Sequence, residues 1–113
     1  MAEITGSQIL AKALKKEGTE QLFFIMGGPM IETEGFCRDE GIRMIDVRHE
    51  QAAAMMGNAW SRLTQRPSVC MAASGPGVIN LTTGVAHAYI DCAPMVICGG
   101  SSSVSGFGRG TFQ

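Results

Sequence analysis

The sequence predicts an α/β domain, a parallel sheet with helices on both faces, and three observations carry that reading. Four short apolar runs alternate with stretches whose apolar residues recur at helical spacing. The joints between them are short and rich in glycine, which suits compact crossovers. With 113 residues, 45% of them hydrophobic, the chain holds enough apolar surface for one domain and too little length for two.

The elements follow in order. Ile9, Leu10, Ala13 and Leu14 mark a first helix, entered through the cap candidates Thr5 and Ser7 and stopped at Gly18. Gln21 to Ile25 is a buried strand running into the turn Met26-Gly27-Gly28-Pro29. A second helix covers Ile31 to Arg38, and Ile42 to Val47 is the second strand. Gln51 to Leu63, rich in Ala and Met, is a third helix that Gln65-Arg66-Pro67 ends. Val69 to Ala73 is the third strand and Ser74-Gly75-Pro76-Gly77 a turn. Val78 to Tyr89 is a fourth helix with small residues on every face, and Pro94 to Cys98 is the fourth strand. The Ser/Gly-rich tail from Gly99 to Gly110 reads as a loop.

Composition excludes several function classes. The formal net charge is −1 and no basic run exceeds Lys15-Lys16, so nucleic acid and anionic membrane surfaces are not expected partners. Seventeen of the charged residues lie in residues 1–66, and from Pro67 to Gly108 only Asp91 is charged. Ser74, Gly75, Pro76, Asn80 and His87 interrupt that stretch, so it does not make a membrane span of about 18 apolar residues. A nearly charge-free half is instead expected to be covered by another domain or subunit. Cys37, Cys70, Cys92 and Cys98 form no CxxC pair, and with two histidines in the chain no metal site is expected within it. Met1-Ala2-Glu3 leads straight into a polar helix start, which points to a cytoplasmic location and free thiols. Cys92 and Cys98 read as buried apolar residues, and the scattered methionines as core filling.

Sites in parallel sheets lie at the carboxyl ends of the strands. Here those ends are Gly27-Gly28-Pro29, Arg48-His49-Glu50, Ser74-Gly75-Pro76-Gly77 and Gly99-Gly100-Ser101. The glycine segments match neither GxGxxG nor GxxxxGK[ST], and Pro76 lacks a backbone donor, so tight turns and close helix packing explain them as well as a phosphate cradle does. Arg48-His49-Glu50 admits two readings. Glu50 is an ordinary first-turn acid favoured by the helix dipole, with Arg48 solvated. Alternatively, the small residues Ala52, Ala53 and Ala54 leave its carboxylate poorly solvated and able to exchange a proton with a weakly basic ring nitrogen. His49 and His87 read as positioning or core histidines, since neither has a second ligand at helical spacing.

The ordered series Phe23 to Pro29, Arg48-His49-Glu50-Gln51-Ala52-Ala53, Ser74-Gly75-Pro76-Gly77-Val78-Ile79-Asn80, Pro94 to Gly100 and Phe112-Gln113 resembles the N-terminal pyrimidine-binding domain of thiamine diphosphate enzymes, over essentially the whole of residues 1–113. Within that superfamily it resembles the branch of 2-hydroxyacyl-CoA lyase, oxalyl-CoA decarboxylase and acetolactate synthase. Gly27-Gly28-Pro29 is nearer the Gly-x-Pro turn of the acyl-CoA enzymes, and Gly99-Gly100-Ser101-Ser102 favours the same side. Phe24 departs from the family, which commonly has glycine there.

The resemblance implies a thiamine diphosphate-binding, Rossmann-like fold that is incomplete at the C-terminus, in a chain that is the first part of a longer enzyme and inactive alone. It implies a glutamate, matching Glu50, that shares a proton with a pyrimidine ring nitrogen of the cofactor, whose amino group then serves as base and yields a carbanion able to add to a substrate carbonyl. Glu50, Ser74, Gly75, Pro76 and Asn80 would bind the cofactor, while Gly28, Pro29, Phe112 and Gln113 would face the substrate. The Mg2+ and diphosphate site would belong to a C-terminal domain. The implied substrate is a 2-hydroxyacyl-CoA or related acyl-CoA, with a 2-oxo acid as the alternative, and the implied partner is a second subunit in a homodimer or homotetramer. A non-catalytic α/β ligand-binding domain is the competing reading.

Overall fold

The computed structural model describes residues 3–111. Helix α1 (Gly6–Lys16) leads to β1 (Gln21–Phe24), a 3-10 turn (Gly28–Met30) and α2 (Ile31–Asp39). Then follow β2 (Arg43–Asp46), α3 (Glu50–Thr64), β3 (Ser68–Ala72), α4 (Pro76–Ile90) and β4 (Met95–Gly99). A last 3-10 turn (Val104–Gly106) interrupts what the sequence presents as a plain loop.

All strand pairs are parallel, in the order β2-β1-β3-β4. Registers Phe24 with Asp46, Phe24 with Met71 and Ala72 with Gly99 bring the carboxyl ends to one edge of the sheet. The central β3 is buried along its whole length, whereas the edge strands β2 and β4 are part-exposed. Alternate side chains supply two cores, because successive residues of a strand face opposite ways. Leu22, Phe24, Val69 and Met71 meet Ala11, Leu14 and Cys37 of α1 and α2. Phe23, Cys70 and Ala72 meet Ala53, Ala54 and Leu81 of α3 and α4. On that second face the helices approach closely: a Cβ on Gly84 would stand 2.4 Å from the Cβ of Ala54, so glycine sets the helix spacing.

Local chemistry explains where element boundaries differ from expectation. Thr5 is the α1 cap, its hydroxyl accepting from the Gln8 amide while the Gln8 side chain accepts from the Thr5 amide. Ser7 lies inside the helix and its hydroxyl donates to Glu32. Helix α3 starts one residue early, at Glu50, because extended His49 caps it through Nδ1, which accepts from the Gln51 amide at 3.2 Å. Helix α4 starts two residues early because Pro76, with no N–H to satisfy, suits the first helical position.

Several side-chain expectations are corrected. Cys92 is exposed, since it turns the chain out of α4 at φ +52°, and Cys98 is half-buried. Met30 and Met71 fill the core as expected, but Met26 and Met56 are exposed. For the histidines the positioning alternative holds and the core one does not: His49 is an exposed cap and His87 an exposed partner of Asp91.

Candidate functional site

The site is assembled where the strand ends cross. Order β2-β1-β3-β4 makes the chain leave β1 to one side and return to the other, which opens a crevice between the carboxyl ends of β1 and β3. Glycines let the loops converge there. A Cβ on Gly27 would fall 2.2 Å from that of Ala73, and one on Gly100 would fall 2.9 Å from Pro29 Cβ and 3.2 Å from the Ser74 amide nitrogen. The Gly100 amide donates to the Ala72 carbonyl at 2.9 Å and fixes the loop after β4 against the end of β3.

Glu50 enters this crevice from the first turn of α3 and is half-buried. Its Oε2 accepts a 2.9 Å hydrogen bond from Asn80 Nδ2 on α4. One turn earlier on α4, a Cβ at Gly77 would lie 3.3 Å from Glu50 Oε1. Asn80 therefore orients the carboxylate, and the bare backbone at Gly77 leaves its second oxygen uncrowded. That oxygen has no hydrogen-bond partner among the described residues, so it can meet a donor or share a proton with a ligand. Arg48 does not neutralise it: its side chain is 89% exposed and paired with Asp46. Glu50 is thus held by a neutral amide and the start of a helix rather than by a cation.

Of the residues the sequence singles out, Glu50 and Asn80 are in direct contact. Ser74 is buried beside them in chain order, and Gly75 (φ +64°) and Pro76 form the exposed start of α4. Gly28 and Pro29 form the 3-10 turn after β1, exposed and abutting Gly100. Phe112 and Gln113 lie outside the described residues. Sequence reading placed Gly27 and Gly77 at the strand ends but not their contacts, and it missed Ala73 as part of the crevice. The approach of Gly77 to Glu50 could have been found, since Gly77 stands three residues before Asn80 on one helix face. In β3 and β4, burial pushes the Cys70 thiol up to about 12 and raises that of Cys98, which disfavours a thiolate at either.

A family described as the N-terminal TPP binding domain of thiamine pyrophosphate enzymes matches residues 4–113. The chain belongs to this family. Among its relatives, 2-hydroxyacyl-CoA lyase 1 of Homo sapiens is 39% identical over 111 residues, 98% of this chain and 19% of that protein. The same-named protein of Mus musculus is 38% identical over 111 residues, again 98% and 19%. The acetolactate synthase large subunit IlvG of Mycobacterium tuberculosis is 37% identical over 106 residues, 94% of this chain and 19% of that protein. The chain spans about a fifth of the length of these relatives.

A second surface stands apart from the crevice. Along the outer side of α4 and the exposed edge of β4 runs an apolar cleft of about 550 Å³, lined by Val78, Val85, Tyr89, Ile90 and Ile97. Tyr89 is 84% exposed and Ile90 80%. This is the charge-poor half of the chain that the sequence expects to be covered.

Proposed function

We propose that residues 1–113 are the pyrimidine-binding, cofactor-activating part of a thiamine diphosphate-dependent carbon–carbon lyase that acts on a 2-hydroxyacyl-CoA or related acyl-CoA. The observation that carries this is the Glu50–Asn80 pair in the crevice, with one carboxylate oxygen held by Asn80 and the other, without a hydrogen-bond partner among the described residues, against the bare backbone of Gly77. Such an arrangement fits a flat nitrogen heterocycle. Asn80 keeps the carboxylate from turning away, the missing side chain of Gly77 lets Oε1 sit against bare backbone, and the Ser74-Gly75-Pro76 turn supplies an adjoining wall.

When bound, thiamine diphosphate supplies a carbanion that adds to a carbonyl and stores the electrons released by carbon–carbon cleavage. The part played by this chain is proton control. Glu50 would share a proton with a ring nitrogen, from a carboxylate that Asn80 orients and that lies against the bare backbone of Gly77; Ala52, one of the small residues expected to shield it, is exposed. Gly28 and Pro29 border the substrate side. Mg2+ and the diphosphate would be held by another part of the protein, as the family resemblance implies. The cleft beside α4 would be covered by a second subunit, which would make a dimer the minimum assembly.

The acyl-CoA reading rests on the Gly27-Gly28-Pro29 turn and on identity to the lyases; a 2-oxo acid reading is favoured by the similarity to acetolactate synthases. Assaying the full-length protein with a 2-hydroxyacyl-CoA, oxalyl-CoA and pyruvate separates them. Cleavage of an acyl-CoA is the expected result, and conversion of pyruvate with no acyl-CoA cleavage would overturn it.

A further inference from the structure

Glu34 sits on the opposite face of the sheet from Glu50 and obeys different chemistry. It is 3% exposed, and neither carboxyl oxygen has a hydrogen-bond partner. It lines a cleft of about 250 Å³ between α2 and the β1–β2 edge, whose walls include Phe24, Met26, Ile31 and Met44 and also Arg38. Burying a lone ionised carboxylate among apolar side chains is costly, whereas the neutral acid is tolerated.

The charged neighbours do not relieve that cost. From β2, Asp46, itself paired with Arg48, still adds repulsion. Within α2, Arg38 is engaged by Asp39 through Nε and Nη2 at 3.0 and 2.9 Å, and the Cys37 thiol is itself pushed up to about 11, first by burial. From α1, Lys12 is paired with Glu40 at 2.7 Å. Strand β1 offers only Gln21, Leu22, Phe23 and Phe24, none of them titratable. Burial first, and then Asp46, push the Glu34 carboxyl from the ordinary 4.5 up to about 7.

We propose that Glu34 is a proton-operated latch for α2: as the neutral acid it lets α2 seat on the sheet, and its ionisation loosens the helix and the Gly28–Met30 turn that leads into it. That turn abuts Gly100 through Pro29 at the carboxyl edge, so the latch connects a buried proton to the mouth of the crevice. The inference is independent of the reaction proposed above, since it concerns the seating of α2 alone.

The linkage has a definite sign. An opened state in which Glu34 is solvated loses its proton near 4.5, whereas the closed state keeps it until about 7. Opening therefore becomes more favourable as pH rises from about 4.5 to about 7, and levels off above that.

Amide hydrogen exchange of the full-length protein, corrected for intrinsic rates, tests this between pH 5 and 8. Opening of residues 26–37 is expected to rise by between about tenfold and a hundredfold and then level off, with α4 amides as the reference for global unfolding. Glu34→Gln should abolish the rise, because the amide keeps the shape and cannot ionise. Asp46→Asn should keep it but move the levelling-off point to lower pH, and this variant serves if Glu34→Gln does not fold. A wild-type segment with no pH dependence relative to α4, an undiminished rise in Glu34→Gln, or an unmoved levelling-off point in Asp46→Asn would each overturn the proposal.

Discussion

The two ends of the sheet are built on opposite plans. At the amino edge, side chains tie the elements together. The Ser61 hydroxyl donates to the Pro94 carbonyl at 2.7 Å and accepts from the Ser68 amide at 3.0 Å. Asp91, at the end of α4, accepts from Asn58, Arg62 and His87 at 3.3, 3.1 and 3.0 Å. At the carboxyl edge the elements meet through missing side chains instead, with Gly27 against Ala73 and Gly100 against Pro29, and one oriented carboxylate, Glu50, between them. The lesson is a division of labour along a single sheet: the amino edge makes contacts that stabilise, and the carboxyl edge keeps a shaped space open, at some cost in packing.

Substitutions at the two edges should therefore fail differently. Glu50→Gln preserves volume and the contact with Asn80 but removes an acidic proton. In the full-length protein it should slow turnover by roughly 10²–10⁴-fold while the thermal midpoint barely moves. An ordinary first-turn glutamate would give the reverse, a stability loss of about 1 kcal/mol or less with turnover intact. Gly27→Ala forces a methyl into the crossing with Ala73, so it should destabilise by about 1–3 kcal/mol and lower activity as well; calorimetry alongside turnover would show both. Ser61→Ala removes the hydroxyl that bridges the Ser68 amide and the Pro94 carbonyl, leaving only the 3.2 Å bond between those two groups. It should cost about 1–2 kcal/mol in denaturant unfolding with kcat unchanged, which sharpens the contrast because only stability moves.

The smallest effect is expected at Asp91. Its carboxyl lies below the usual range because of the Asn58 hydrogen bond first, followed by the attraction of Arg62 and His87. A depressed folded-state value stabilises the fold above the unfolded value, and that stabilisation disappears as pH falls through the folded one. Asp91→Asn should flatten the acid side of the stability profile and leave the profile near neutrality, where Glu34 dominates with the opposite sign, unchanged.

The order of all eight helices and strands was legible because apolar runs and helical spacing survive any tertiary context, as in Gln21–Phe24 and Ser68–Ala72. Boundaries were less so: the starts of α3 and α4 depend on the backbone of His49 and Gly75, which residue type alone does not dictate. At the candidate site, Glu50 and Asn80 stood out individually, while their contact across 30 residues is a product of helix packing. Glu34 was invisible. It stands in a polar stretch with Glu32 and Thr33 at the start of a short helix, and only the seating of α2 buries Thr33 and Glu34 while Glu32 stays exposed.

The central claim is that Glu50 works by sharing a proton with bound cofactor, and hydrogen–deuterium exchange at the thiazolium carbon reads that step before any substrate is present. With full-length protein saturated with thiamine diphosphate, wild type should exchange rapidly and Glu50→Gln should exchange roughly 10²–10⁴-fold more slowly, with cofactor affinity changed far less. Equal exchange in the two proteins at full occupancy would contradict the account.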